Sequence, residues 1–257
     1  MIKKNNFKSK FENTKISSAF FTRNSGFSFN NYSTLNCSYS GGDQNIAVKK
    51  NIELAQKILE LDNKKLKLIS QIHSNNVVNI NNNNYSTIFK ADGMITQDKN
   101  ISLAVLTADC SPIFIFDQDA TFIACLHSGW KGCYLNIIDK ALLLIKKIQP
   151  NLDKINVIIG PCLNQKNFEV TKDFKKKFIS ADSNYQYFFL DINEKSESLF
   201  NMRGLIEYQF KKNMVTNIEN IDIDTYENKE LFYSHRRSTH NNSLPTGRMI
   251  NIIGFNN

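Results

Sequence analysis

The chain has four prolines and one tryptophan in 257 residues. It contains no Pro/Gly/Ser-rich linker, which argues against two tethered domains. No internal repeat is present at the periods of solenoids or propellers. No segment approaches the roughly 20 apolar residues that cross a bilayer. The N-terminus, Met-Ile-Lys-Lys-Asn-Asn-Phe-Lys, has no apolar core of signal-peptide length behind it. Neither GxxxxGK[ST] nor GxGxxG occurs, which excludes the usual nucleoside triphosphate and dinucleotide loops. The five cysteines (37, 110, 125, 133 and 162) are an odd set with irregular spacing. That pattern speaks against a disulfide framework and for reduced thiols. Together the absences predict one domain over residues 1–257, cytoplasmic and without membrane contact.

Lysine and arginine outnumber aspartate and glutamate by 32 to 24, a net charge of +8. The cations are scattered, with small groups at Lys3-Lys4, Lys64-Lys65 and Lys175-Lys176-Lys177. A nucleic-acid binder concentrates them in a recognisable module, so nucleic acid is not the expected partner. A moderately basic surface suits a small anion such as phosphate. Asparagine is abundant, and the run Asn81-Asn82-Asn83-Asn84 reads as a loop.

Hydrophobic spacing predicts a helix over 46–61, with Val48, Ile52, Ala55, Ile58 and Leu59 on one face. Leu66, Leu68, Ser70 and Ile72 alternate, as in a half-buried strand. Short apolar runs at 101–107, 113–116, 121–126, 156–160 and 249–254 read as buried strands. Helices are expected over 134–148 and about 198–213. Strands dominate the middle without regular βαβ alternation, so the expected class is α+β with layered sheets.

Three potential ligands stand at the ends of strand-like runs. His73 follows Gln71-Ile72, Cys110 lies in Thr107-Ala-Asp-Cys-Ser-Pro112, and His127 opens His127-Ser-Gly-Trp-Lys-Gly132. Two imidazoles and a thiolate suit zinc with one coordination position left open, the mark of a catalytic site. The spacings of 37 and 17 residues require tertiary assembly. They are equally compatible with two ordinary histidines and a buried thiol, or with Cys110 as a nucleophile served by a histidine base. Arginines in the loops Thr22-Arg23-Asn24-Ser25-Gly26, Tyr233-Ser-His-Arg-Arg237 and Thr246-Gly-Arg248 could grip phosphate or carboxylate, or could be solvated surface charge.

Taken in order, nine blocks resemble the YfiH family, also described as the multicopper polyphenol oxidase or laccase-domain family. They are Phe21-Thr-Arg-Asn-Ser-Gly-Phe-Ser28, Tyr32-Ser-Thr-Leu-Asn36, Gln71-Ile-His73, Ala91-Asp-Gly93, Thr107-Ala-Asp-Cys-Ser-Pro112, His127-Ser-Gly-Trp-Lys-Gly132, Ile159-Gly-Pro-Cys162 with Phe168-Glu-Val170, Phe232-Tyr-Ser-His-Arg-Arg237, and Thr246-Gly-Arg-Met249. The resemblance implies that His73, Cys110 and His127 bind one zinc ion and form the catalytic centre. It implies a layered α/β/β/α sandwich. It also implies phosphorolysis of adenosine, inosine, guanosine and S-methyl-5′-thioadenosine, with hydrolytic deamination of adenosine. The partners would be a purine nucleoside and phosphate, with Arg23, Asn36, Lys131 and Arg248 as candidates to bind them. Asp109 is expected either to orient a ligand or to cap its turn.

The chain departs from the family pattern at Ser25 (glycine expected), Ser128 (alanine), Lys131 (arginine) and Asp224 (often cysteine). Lys131 keeps the charge and loses the bidentate fork. The laccase label fails on composition. Blue and trinuclear copper centres are built largely on imidazole, and four histidines cannot furnish them. Two alternatives remain. One is an amidase editing peptidoglycan precursors, using zinc or Cys110. The other is a metal-stabilised binding module closed by a fourth ligand, for which His235 is the available histidine.

Overall fold

The computed structural model describes residues 6–7, 11, 15–192 and 197–256. Lys3 and Lys4 of the basic N-terminal group lie outside the described residues. The first elements are strands β1 (Asn6–Phe7) and β2 (Ile16–Phe21), followed by helix α1 (Asn45–Ile58). Strands β3 (Lys65–Lys67), β4 (Val77–Ile80) and β5 (Gly93–Thr96) lead into β6 (Ile101–Thr107), β7 (Ser111–Asp117) and β8 (Ile123–Ser128). Helices α2 (Trp130–Tyr134) and α3 (Ile137–Ile145) come next, then β9 (Ile155–Ile159), β10 (Glu169–Thr171) and α4 (Lys172–Ala181). The remainder runs β11 (Phe189–Asp191), β12 (Glu197–Phe200), α5 (Met202–Lys212), β13 (Ile218–Asn220), α6 (His235–His240) and β14 (Met249–Phe255).

Two large sheets form. One has the order β1-β2-β14-β6-β3 and the other β13-β9-β7-β8-β5-β4. A small sheet, β10-β12-β11, stands beside them. Alternation along each strand explains the layering. Phe114 and Phe116 of β7 join Leu103, Val105, Phe20 and Ile253 in a core between the large sheets. Ile113 and Ile115 point the other way, into a core with α3 and α5. Ala19, Phe21, Ala104, Ile250 and Ile252 turn to the outer face of the first sheet, where Val48, Ile52 and Ala55 of α1 cover them. Both faces of both sheets are therefore apolar, and each outer face is buried under helices. The result is the α/β/β/α sandwich.

Several elements differ from the sequence reading. The strand expected over 66–72 pairs only at Lys65–Lys67, after which a single bridge links Ser70 to Lys90. The helix expected over 134–148 is two helices. Asn136 adopts φ 56° between them, a left-handed conformation that ends α2 and resets the direction for α3. Residues 197–200 are strand β12, so α5 begins only at Met202, where the Asn201 side chain accepts from Gly204 N. Strand β8 runs on to Ser128 and so contains His127. Among the described residues no helix is long and apolar enough to cross a membrane.

Phe114 is fully buried between the large sheets and stacks on Phe20 with centroids 4.4 Å apart. Replacing it with alanine empties the middle of the sandwich. Phe114→Ala is expected to lower unfolding stability by about 3–5 kcal/mol, read by chemical denaturation.

Candidate active site

Side-chain parity explains why the site lies at the end of the inter-sheet core. In β8, Ile123 and Cys125 face that core, so His127 faces the same way. In the neighbouring strand Met94 faces it too, and so does Asp92, one pleat earlier. The backbone completes the match, because His127 N donates to Asp92 O at 2.7 Å. Cys110 sits in the turn between β6 and β7, just before the pairing of Ser111 with Ser128. His73 arrives from the loop after β3.

These folds bring the three predicted ligands together. One donor atom from each of His73, Cys110 and His127 lies within 4.8 Å of the others. Cys110 Sγ is 3.8 Å from His73 Nε2, and the imidazole centroids are 4.9 Å apart at 79°. His73 is exposed, Cys110 half-buried and His127 buried. The cluster could hold a metal ion.

Asp92 orders it. Its carboxylate is fully buried and accepts from His127 Nδ1 at 2.8 Å. It also accepts from the backbone N–H of His73 at 3.0 Å, and from Ser74 through N at 2.6 Å and Oγ at 2.7 Å. One carboxylate thus sets the ring of one histidine and the backbone of the other. With Nδ1 bonded to Asp92, His127 presents Nε2 to the cluster. Burial pushes the Asp92 carboxyl up, but the bonds from His127 and Ser74 outweigh it and hold it below the usual range. Burial likewise pushes the Cys110 thiol up. The charge of His127 and hydrogen bonds from both histidines win, and the thiol becomes more acidic than usual.

Gly129 leaves the space. A Cβ there would stand 2.7 Å from Cys110 Sγ and 3.3 Å from His73 Cδ2, so any side chain would push the ligands apart. His73 (φ 57°) and Asp109 (φ 84°) both hold left-handed backbone, unusual for residues with a side chain. Each such conformation costs of order 1–3 kcal/mol and is held by its surroundings. For Asp109 the restraint is visible. Its carboxylate accepts from Thr225 Oγ1 (2.7 Å), Ser234 Oγ (3.0 Å) and Arg236 N (2.7 Å). It therefore pins the ligand turn to the C-terminal segment and to the start of α6, rather than bonding to a ligand.

The trio lines a cavity of about 1060 Å³ that Lys131, His235, Arg236 and Arg248 also line. Arg23 and Asn36 are not among its lining residues. The Arg23 guanidinium donates from Nε to Ser33 O at 2.6 Å and lies over the Tyr233 ring at 4.5 Å. Asn36 is fully buried, and its Oδ1 accepts from Arg248 N at 2.9 Å. It thereby supports Arg248 from behind the cavity wall. Arg236 is partly committed, since its guanidinium donates to Glu169 O. His235 lines the cavity without joining the cluster of three. His240 bonds to the Tyr226 hydroxyl instead.

A sequence profile described as multi-copper polyphenol oxidoreductase laccase matches residues 17–256. The chain belongs to that family. Within the laccase-named family it is 35% identical over 173 residues to a Rickettsia prowazekii protein named purine nucleoside phosphorylase, covering 67% of this chain and 71% of that one. It is 28% identical over 235 residues to a Haemophilus influenzae protein of the same name, covering 91% and 92%. The solved structure of Bacillus licheniformis YfiH superposes with a TM-score of 0.85 at 26% identity, covering 94% of this chain and 93% of that one. The resemblance to the YfiH family carried by the nine blocks is therefore borne out, and with it the layered fold.

Sequence reasoning passed over two residues of this laccase-family site. Asp92 lies inside the Ala91-Asp-Gly93 block, but it precedes its strand, whereas the ligands were marked by following theirs. Gly129, next to His127-Ser128, carried no signal beyond the block itself. Asp92→Asn keeps the size and removes the charge that orients His127. The expected outcome is a metal affinity roughly 10–100-fold weaker, measured by competition with a chelating indicator, with the fold retained by circular dichroism.

Proposed function

We propose that this chain is a zinc-dependent purine nucleoside phosphorylase, a single cytoplasmic catalytic domain. It cleaves adenosine, inosine, guanosine and S-methyl-5′-thioadenosine with phosphate, and deaminates adenosine by hydrolysis. The observation that carries the reading is one chamber that holds both an open His73–Cys110–His127 cluster and the cations of Lys131 and Arg248. The names of the Rickettsia and Haemophilus relatives support phosphorolysis of purine nucleosides as the reaction class.

The donor set fits zinc. Bonds of about 2.3 Å to sulfur and 2.0–2.1 Å to nitrogen in a tetrahedron put S and N about 3.6 Å apart. The observed Cys110–His73 separation of 3.8 Å is close to that. His73, Cys110 and His127 would hold the ion, and a fourth position would stay open to the cavity. Zinc at such a site supplies Lewis acidity and brings the ionisation of water toward neutrality. The remaining work falls to the chain. Asp92 keeps His127 in the tautomer that offers Nε2. Arg248, whose guanidinium is steadied by donating from Nη1 to Thr246 O and Gly247 O, and Lys131 hold the phosphate dianion. Burial and the nearby Arg248 push the His235 imidazole down in pKa, which favours the neutral form that accepts a hydrogen bond from a phosphate hydroxyl. A phosphate oxygen then forms a bond to ribose C1′ as the C1′–N9 bond breaks. The electron pair leaves with the base, and the cationic chamber stabilises the charge that develops.

Liquid chromatography of a nucleoside panel with and without phosphate tests the reading. Free base should be released from inosine and adenosine only when phosphate is present, and inosine should accumulate from adenosine. Base release that ignores phosphate contradicts phosphorolysis. Turnover of no nucleoside at all shifts the reading to the amidase.

A further inference from the structure

Beyond the trio, the cavity has an aromatic wall, with the Lys131 and Arg236 cations over two of its rings. Trp130 and Phe174 form it, with Phe168 and Met202 alongside. Trp130 follows Gly129, the residue packed against Cys110, so its indole belongs to the same chamber as the ligands. Phe174, from α4, meets the indole edge-on with centroids 5.1 Å apart at 62°. Phe174 is itself fixed. It stacks on Phe178 at 4.8 Å and 24°, and meets Phe200 edge-on at 5.5 Å. Phe178 and Phe200 are fully buried, so the platform is anchored in the core behind the small sheet. The indole is half-buried, and the Nζ atoms of Lys131 and Lys177 lie 5.5 and 5.4 Å from its ring.

A partly exposed indole braced by a locked phenyl ring offers a rigid π surface at little entropic cost. The cavity, at about 1060 Å³, lies just above the range of about 300–1,000 Å³ that holds small ligands. It has room for a flat moiety in addition to the groups held by the trio and the cations. We infer that Trp130, braced by Phe174, is the subsite for the base of the substrate, and that stacking there selects the larger purine ring over a pyrimidine. The inference rests on the nucleoside reading of the site. Stacking is sequence-tolerant and grows with ring area, so it favours bicyclic bases without distinguishing strongly among them.

Trp130 is the sole tryptophan, which makes its emission a reporter of this one wall. The test titrates the zinc-loaded protein with hypoxanthine, cytosine, ribose and inorganic phosphate while following tryptophan fluorescence. Hypoxanthine should quench saturably, cytosine more weakly, and ribose and phosphate not at all. Trp130→Ala should raise KM for inosine roughly tenfold, Trp130→Phe should recover most of that loss, and Phe174→Leu should raise KM by a smaller factor. Zinc content should stay unchanged in all three variants. Emission unaffected by hypoxanthine, in a protein that turns over inosine with phosphate, overturns the subsite. So does an unchanged KM in Trp130→Ala. Saturable quenching without phosphate-dependent turnover of any nucleoside would sink the phosphorylase reading and leave the base subsite standing.

Discussion

A carboxylate withdrawn from water is costly unless donors surround it, and Asp92 is fully buried. The donors that satisfy it are the His127 ring, the Ser74 hydroxyl and the backbone N–H groups of Ile72, His73 and Ser74. Those bonds bind the loop after β3 to strand β8. They fix which nitrogen of His127 is free, and they support the left-handed backbone of His73. The positions of two of the three ligands follow from the pairing of one buried charge. The third comes from the turn between β6 and β7, against a glycine that leaves it room.

That turn also joins the two halves of the chamber. Cys110 belongs to the His73–Cys110–His127 cluster, while the adjacent Asp109 bonds to Thr225, Ser234 and Arg236 N. The C-terminal segment that carries His235 and Arg236 is thereby set at a fixed distance from the ligands. Arg248 enters from the start of β14, with its backbone held by Asn36. Candidate metal ligands from the middle of the chain and cations from its end converge because two consecutive residues with opposite duties share one strained turn. The two-sheet architecture provides the opening where this can happen, since the inter-sheet core ends at His127 and Asp92.

Much of this was legible where period and composition spoke strongly. Strands β6 and β14 stand nearly where the short apolar runs put them, and the face of α1 that buries Val48, Ile52 and Ala55 is the predicted one. Local turns were not legible. Asn136 breaks a continuous helical pattern through its own left-handed backbone, which hydrophobic spacing does not report. Helix α4 went unread because only Phe178 on it is buried and four of its ten residues are lysines. The ligands were visible because histidine is rare here and each candidate stood at a strand end. Arg23 and Asn36 share sequence blocks with functional appearance, but their polar atoms are taken up by Ser33 O and by the backbone of Arg248. Spacing could not separate residues facing the cavity from those that shape its wall. Histidine scarcity also bears on the family's copper label. Two of the four histidines meet in the cluster, His235 lines the cavity, and His240 pairs with Tyr226.

In the proposed site, Asp92 presents an open three-ligand centre for one metal ion, facing a cationic chamber. X-ray absorption at the zinc edge of the loaded protein tests it most directly. The account predicts one sulfur near 2.3 Å and two imidazole nitrogens near 2.0–2.1 Å, with the fourth position filled by oxygen. A second sulfur or a third imidazole around the metal would contradict it.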